Sequence, residues 1–510
     1  MIEPREYQKK IFESAKEKNT LVVLPTGMGK TLIALMLSKH RIEKFPKQKI
    51  LFLAPTRPLV QQHFDYFKNN LPELYAELEF FTGKIDAKKR RRLWQDTNII
   101  FSTPQCIAND LKHNRISLED VSLLIEDECH RCLKNYAYTA VARKYMEHAF
   151  NPLILGITAS PGSDKQTIRQ ICENLEIKNV ELRSRYSEDV KPYIQELDMD
   201  IIKVDLNNEL KLIIKSIKEM HDKKIDELKN RKLLFTMANK KSLLELQGRL
   251  VRMVSGGNKN FNNLRGLSAC SQAIKLHYLL ELLETQSIYA SHNYMKNLLE
   301  QAEKNQSRAA KEITKNNNFI HSYFSIAKLK EEHPKIAKLK EIVENEIKNN
   351  ENAKIIVFSQ YRDTGIVITN ELNKIPNIKA KNFVGQRITK TSGLSQKEQG
   401  KVLAEFREGL INVIVATSIG EEGLDIPEVN LVILYEPIPS AIRKIQRQGR
   451  TARLMPGKII TLIAKGTRDE GYHWASISRE RKMYGILEGM KKDFDKKDKG
   501  QEQLNLDSFN

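Results

Sequence analysis

The sequence predicts an α/β protein: two doubly wound parallel-sheet domains with a helical insertion between them. Short uninterrupted apolar runs alternate with helix-spaced segments over about residues 20–160, and the same alternation returns after residue 350. Such runs mark strands covered on both faces, as in a parallel sheet. Between them, residues 206–330 hold almost no strand-like run and show long helical spacing instead. A chain of 510 residues is too long for one hydrophobic core, and about three units fit its length.

Taken in order, "TLVVLPTG", "KILFLAPT", "NIIFST", "SLLIEDE" and "LILGITAS" each read as a buried strand ending in turn or polar residues. The segment "NELKLIIKSIKEMHDKKIDELKNRKLLFTMA" reads as helix, and loops rich in Gly and Asn ("SGGNKNFNN", "KNNN") divide the helices of this region. In "HPKIAKLKEIVENEI" the α/β pattern restarts, with Ile336, Leu339, Ile342, Val343 and Ile347 on one helix face. Four further strands follow in "AKIIVFSQ", "INVIVATS", "VNLVILYE" and "KIITLIAKG". The expected domains are 1–190, an insertion over 191–333, a second α/β domain over 334–487, and a polar, flexible tail over 488–510.

Charge indicates the partner. The chain carries 84 Lys and Arg against 64 Asp and Glu, a net charge of +20. A polyanion is implied, nucleic acid first, although lysine-rich surfaces also arise for other reasons. Over 211–330 alone, 22 Lys and Arg stand against 10 Asp and Glu, so the insertion is strongly basic. Five cysteines without framework spacing point to a reducing cytosol, and the expected location is cytoplasmic, with the nucleoid. No apolar run approaches the roughly 18–20 residues that span a bilayer, and "MIEPREYQKK" has no signal-peptide core, so no membrane partner is expected.

The first strand runs into "PTGMGKT", residues 25–31, a compact phosphate-binding loop. Thr26 and Met28 contribute to its backbone, and Gly27 and Gly29 permit the tight turn and the close approach of N–H groups to phosphate. Lys30 is expected to reach the β- and γ-phosphates of ATP, and the Thr31 hydroxyl to hold Mg²⁺. Pro25 stands near the place where the longer consensus has Gly. The stretch "LLIEDECHRCLKN", 123–135, admits two readings. As a zinc knuckle, its C-x-x-C supplies two of four ligands, and Cys106, Cys172 and Cys270 are isolated. As the acidic end of a hydrolytic strand, Asp127 holds the metal and Glu128 activates water. The phosphate loop about a hundred residues upstream selects the second reading and leaves Cys132 as a small packed residue.

These motifs, with "APTRPLVQQH", "STPQ", "TASP", "ATSIGEEGLDIP" and "QRQGRTAR", stand in the order found in superfamily 2 helicases. The stretch "YEPIPSAIRKIQRQGRTAR" and the interlobe insertion make the chain resemble the helicase portion of the archaeal Hef family and its Fanconi anaemia group M relatives. The resemblance implies two RecA-like domains and an ATP-dependent 3′→5′ helicase acting on branched DNA. It places Arg5 and Gln8 of "REYQ" at the adenine, and Gly423 and Asp425 at the nucleotide from the second lobe. It also implies that Gln446 aids the attacking water and that Arg450 and Arg453 serve as arginine fingers. Ala452 departs from a common Gly. Arg57, Gln61, Thr82, Gly83 and Thr103 are implied to track DNA on the first lobe, and Gln360, Gly385 and Thr417 on the second. Thr158 and Ser160 are implied to couple the two sites. Each threonine at a strand end also has a bland reading as a buried hydroxyl.

Three features stay outside this set. The run "KKRRR", 88–92, reads equally well as a solvated helix face. The "ERK" at 480–482 lacks the Asp of the Hef-type nuclease signature, with Ile486 in its place, so a separate nuclease partner is expected. Gln503, Leu506 and Phe509 have the Q-x-x-L-x-x-F spacing of peptides that dock on the sliding clamp (PCNA). Two rival functions are an RNA-stimulated ATPase of the RIG-I and Dicer type and a non-enzymatic branch-binding scaffold.

Overall fold

The computed structural model describes residues 3–507 apart from 73–74, 194, 196, 258–259, 386–392, 418–426, 439 and 441–456; beyond residue 496 it describes the backbone alone. Seven strands form the first sheet: β1 (Thr20–Val23), β2 (Lys49–Leu53), β3 (Leu78–Phe81), β4 (Ile99–Ser102), β5 (Val121–Asp127), β6 (Ile154–Thr158) and β7 (Asn179–Leu182). They lie in the order β3-β4-β2-β5-β6-β1-β7, and every pairing is parallel. The second sheet comprises β8 (Leu197–Val204), β9 (Ile355–Phe358), β10 (Ala380–Phe383), β11 (Val413–Ala416), β12 (Leu431–Leu434) and β13 (Gly457–Ala464). Its order is β10-β11-β9-β12-β13-β8, again parallel throughout. Parallel pairing brings all strand C-termini to one edge of each sheet, where the loops converge.

All nine strands read from the sequence form. The other four, β3, β7, β8 and β10, are the four sheet edges. β8 moves a domain boundary: it pairs with β13 over eight residues, Leu197↔Gly457 through Val204↔Ala464. The second domain therefore begins before the insertion, whereas the sequence reading places 197–204 inside it.

The insertion consists of helices Asn208–Asn230, Lys240–Ser255, Phe261–Thr285, Ile288–Glu303, Arg308–Thr314 and Asn317–Lys328. It has two cores. One surrounds Leu210, Ile217, Leu279 and Phe319 and reaches Ala464 at the end of β13. The other, at the far end, joins Ile225, Leu228, Leu243, Leu250 and Cys270.

A further correction concerns the C-terminus. Helix Arg468–Asp507 starts beside the second sheet and runs back to the first. Met483 and Leu487 are fully buried in the first lobe's core, and Met490 and Phe494 pack behind them. Their spacing of four, three and four residues forms one helical stripe. Lys491 pairs with Glu181 at 3.3 Å beside β7. The stretch 488–507, read as a flexible tail, is therefore helical. No helix among the described residues is long and apolar enough to cross a membrane.

Candidate active site

The phosphate loop joins β1 to helix Lys30–Lys44. Gly27 and Gly29 have φ of 84° and 75°, a region that L side chains rarely adopt. A Cβ on Gly29 would run into Gln8 Nε2, so a side chain there would both adopt a strained backbone and displace Gln8 from the loop. Gln8 is buried; its Nε2 donates to Met28 O at 3.1 Å and its Oε1 accepts from Arg5 N at 2.9 Å. Tyr7 Oη donates to the same carbonyl at 2.8 Å. Tyr7 and Gln8 thus brace the loop backbone while Arg5 N–H orients the Gln8 amide, and reading a base requires the amide's remaining donor and lone pair. Lys30 Nζ donates to Leu24 O at 3.2 Å, which folds it over the loop.

Strand register assembles the hydrolytic groups. Val23 lies opposite Thr158 and Asp127 opposite Ile157, so β1, β6 and β5 end at one level. Alternation along β5 places Glu126 and Asp127 on opposite faces. Burial pushes the Glu126 carboxyl well above the usual range, which makes it unsuited to a cation. Burial also raises Asp127, but the hydrogen bond and charge of His63 and the Lys30 ammonium outweigh it and hold the carboxyl below its ordinary value. Tyr138 Oη anchors the strand end by donating to Asp127 O at 2.7 Å.

His63, which sequence reasoning did not single out, lies between the two metal candidates. Its Nδ1 is 3.3 Å from Thr31 Oγ1 and its Nε2 is 2.8 Å from Asp127 Oδ2. The ring is 5% exposed and packs on Phe52 at 4.5 Å. The Thr31 hydroxyl and the Asp127 carboxylate, both in reach of His63, are oxygen donors of the kind that suit a hard cation such as Mg²⁺. The only sequence signal for His63 is its place at the end of "APTRPLVQQH".

Glu128 follows with φ 52° and ψ 42°, the left-handed region, where a non-glycine residue is strained. The turn aims its carboxylate at His130, 3.2 Å from Oε2 to Nδ1. His130 Nδ1 also lies 3.1 Å from Thr158 Oγ1, which accepts from Ser160 N at 3.1 Å. Ser160 Oγ lies 2.9 Å from Met483 Sδ of the C-terminal helix. The two coupling candidates are thus joined to the acidic turn. Cys132 is buried in the core, as expected of a packed residue, and Cys129 is buried beside it.

The nucleic-acid candidates form a separate row. Arg57, Thr82 with Gly83, and Thr103 follow β2, β3 and β4, which are neighbours in the sheet. Arg57 Nη2 would lie 3.6 Å from a Cβ on Gly83. Gln61 is exposed one turn along the helix and donates to Asp65 at 2.8 Å. In the second lobe, Gln360, Gly385 and Thr417 follow the adjacent strands β9, β10 and β11. Gln360 is exposed and Thr417 is buried. Gly423, Asp425, Gln446, Arg450, Arg453 and Phe509 lie outside the described residues, and Gln503 and Leu506 have only their helical backbone described.

Residues 1–163 match the family described as "Type III restriction enzyme, res subunit". Residues 209–333 match "Putative ATP-dependent RNA helicase, helical bundle", and 334–455 "Helicase conserved C-terminal domain". The chain is 40% identical over 492 residues to a putative ATP-dependent RNA helicase of Methanocaldococcus jannaschii, covering 96% of this chain and 61% of that protein. It is 32% identical over 524 residues to the Fanconi anemia group M protein homolog of Mus musculus, covering 95% of this chain and 26% of that one. The ATP-dependent DNA helicase fml1 of Schizosaccharomyces pombe is 31% identical over 504 residues, 95% of this chain and 60% of its own. The chain thus spans less than two thirds of each of these relatives. The crystal structure of the Pyrococcus furiosus Hef helicase domain superposes with a TM-score of 0.71 at 45% identity, covering 93% of this chain and 98% of that one. With two parallel-sheet lobes, an interlobe helical insertion and this match along almost the whole solved domain, the chain belongs to the Hef helicase-domain family of superfamily 2 helicases.

Proposed function

We propose that the chain is an ATP-dependent DNA translocase that acts on branched DNA with 3′→5′ polarity. One observation carries this reading: the nucleotide elements follow β1, β5 and β6, the nucleic-acid elements follow β2, β3 and β4, and β2 lies beside β5 in the same sheet. Lys30 and the loop amides would bind the phosphates, and Thr31 with Asp127 would hold Mg²⁺, which neutralises charge on the phosphates when bound. Glu128 would take the proton of the attacking water, and His130 with Thr158 would fix its position. Arg450 and Arg453 are proposed to supply positive charge from the other lobe, so that hydrolysis requires closure.

His63 extends this reading. It belongs to helix Arg57–Asn70, which opens with Arg57 and carries Gln61. A DNA phosphate drawing on Arg57 would bear on the same short helix whose His63 touches Thr31 and Asp127. His63→Ala is expected to lower the ratio of DNA-stimulated to basal ATPase roughly tenfold. The Mg²⁺ concentration for half-maximal binding of a fluorescent ADP analogue should rise as well. An unchanged ratio and Mg²⁺ dependence would leave His63 a packing residue.

The sliding clamp and a separate nuclease remain proposals for partners. The decisive experiment measures ATPase and unwinding on single-stranded, duplex, forked and four-way DNA, with duplex RNA as control. Forked DNA is expected to stimulate most. The M. jannaschii relative and the helical-bundle family carry RNA in their names, and stronger stimulation by duplex RNA would favour that rival.

A further inference from the structure

The far end of the insertion combines two properties that seldom occur together on a protein surface. Between residues 231 and 265 the sequence holds eight Lys and Arg and one acid, Glu245. The same segment exposes Phe235 (78%), Met237 (86%), Phe261 (69%), Leu244, Val251 and Leu264. Isolated exposed apolar residues need no explanation, but these six in one short, basic segment point to a contact surface.

The loop that carries Phe235 and Met237 is held in place. Leu234 is buried, Arg249 Nη2 donates to Leu233 O at 2.6 Å, and Ser242 Oγ donates to Met237 O at 2.9 Å. The backbone is therefore tied on both sides of Phe235 while its ring stands in solvent. Phe261 opens the neighbouring helix, with the Arg231 and Arg265 guanidinium carbons 6.0 Å and 5.3 Å from its ring centroid. Arg231 also bridges the two segments through Asn262, at 3.3 Å.

Charge decides the class of partner. An acid-poor, cation-rich setting fits a polyanion, and a flat apolar ring among cations fits a partner that carries π faces along an anionic backbone. Unpaired nucleic-acid bases have both properties, whereas fully paired duplex hides its base faces. We infer that the Phe235–Met237 loop, with Phe261 of the helix tied to it through Arg231 and Asn262, is a stacking site for unpaired bases at a DNA branch point. This inference rests on the reading of the chain as a branched-DNA translocase and adds the element that recognises the opened strand.

The test uses the full chain and two synthetic DNAs of equal length, a fork with unpaired arms carrying 2-aminopurine at the junction and a fully paired duplex. Phe235→Ala is expected to weaken fork binding roughly tenfold, leave duplex binding within twofold, and abolish the 2-aminopurine quench. Phe235→Trp should retain fork affinity and show tryptophan quenching by single-stranded DNA. Because Phe235 is exposed, an unchanged melting curve should accompany both substitutions. Equal losses on fork and duplex, or no loss on either, would overturn the stacking site while leaving the translocase reading intact. A change in sedimentation on Phe235→Ala without any change in fork binding would assign the surface to protein association and overturn it too. A wild-type chain that fails to bind forks would overturn the functional reading itself, and the stacking site with it.

Discussion

Glu128→Gln should leave ATP and DNA binding within about twofold of wild type while kcat for ATP falls at least about 100-fold, the range for loss of a general base. The substitution preserves size and the left-handed turn at φ 52°, so Asp127 and the phosphate loop keep their positions. What disappears is the ability to accept a proton. Asp127 cannot substitute for it, because its carboxylate is engaged by His63 at 2.8 Å, which helps hold it below its ordinary value, and its proposed task is to hold the metal. Glu126 cannot either: it lies on the other face of the strand, and burial pushes its carboxyl well above the usual range. Lys30→Ala should behave differently and lose nucleotide affinity, since Lys30 is the loop's cation. Steady-state ATPase together with equilibrium binding of a fluorescent nucleotide separates the two outcomes. A Glu128→Gln protein that hydrolyses ATP at the wild-type rate would remove Glu128 from the mechanism.

The parts of the fold that were legible in the sequence are those where local pattern and burial agree. β1, β4, β9, β11 and β12 are buried at every position and read as unbroken apolar runs. An edge strand has one neighbour, and its burial is mixed: β3 and β10 are only partly buried at three and two of their four positions, and β8 exposes half of its residues. "LDMDIIKV" of β8 therefore resembles a polar connection until β13 pairs with it. The C-terminal stripe of Met483, Leu487, Met490 and Phe494 was present in the sequence, but the lysines and aspartates between its members hid it. Its partner surface, the first lobe's core, comes more than 300 residues earlier in the chain.

In the active site, residues that form a contiguous motif could be assigned in advance, because the phosphate loop and the acidic strand end each bring their chemistry with them. His63 could not be assigned so directly. Its role depends on β2 and β5 being neighbours, which sets the helix after β2 against the end of β5. No spacing rule within one sequence gives that adjacency. The same holds for Ser160 and Met483, 323 positions apart and in contact. Sheet order, which the pattern of runs leaves open, turns separate motifs into one site.

Lys335→Met is the substitution expected to cost the most stability. The Lys335 ammonium is wholly buried; it donates to Asp469 Oδ2 at 2.8 Å and to Tyr435 O at 2.9 Å, and lies 4.4 Å over the Tyr435 ring. Asp469 is equally buried, and its Oδ2 also accepts from Ala464 N at 3.1 Å. The pair therefore fastens helix Pro334–Asn349, the end of β13 and the first turn of the C-terminal helix to one another. Removing one member leaves a desolvated charge, a loss of about 3–5 kcal/mol, whereas replacing both with Lys335→Met and Asp469→Leu should recover much of it. Burial already raises the Asp469 carboxyl above its ordinary value, with the Lys335 charge pulling it back down. Without Lys335 it rises further, so the folded state holds its proton to higher pH than the unfolded chain does. The deficit should then be small near pH 4 and grow as pH rises through the folded pKa, larger at pH 8 than at pH 5. Denaturant melts of the single and double variants at those two pH values measure it. A deficit independent of pH would mean that Asp469 finds another partner. The same joint anchors the helix whose Met483 reaches Ser160, so in Lys335→Met the ATPase stimulated by DNA should fall before the fold is lost on heating.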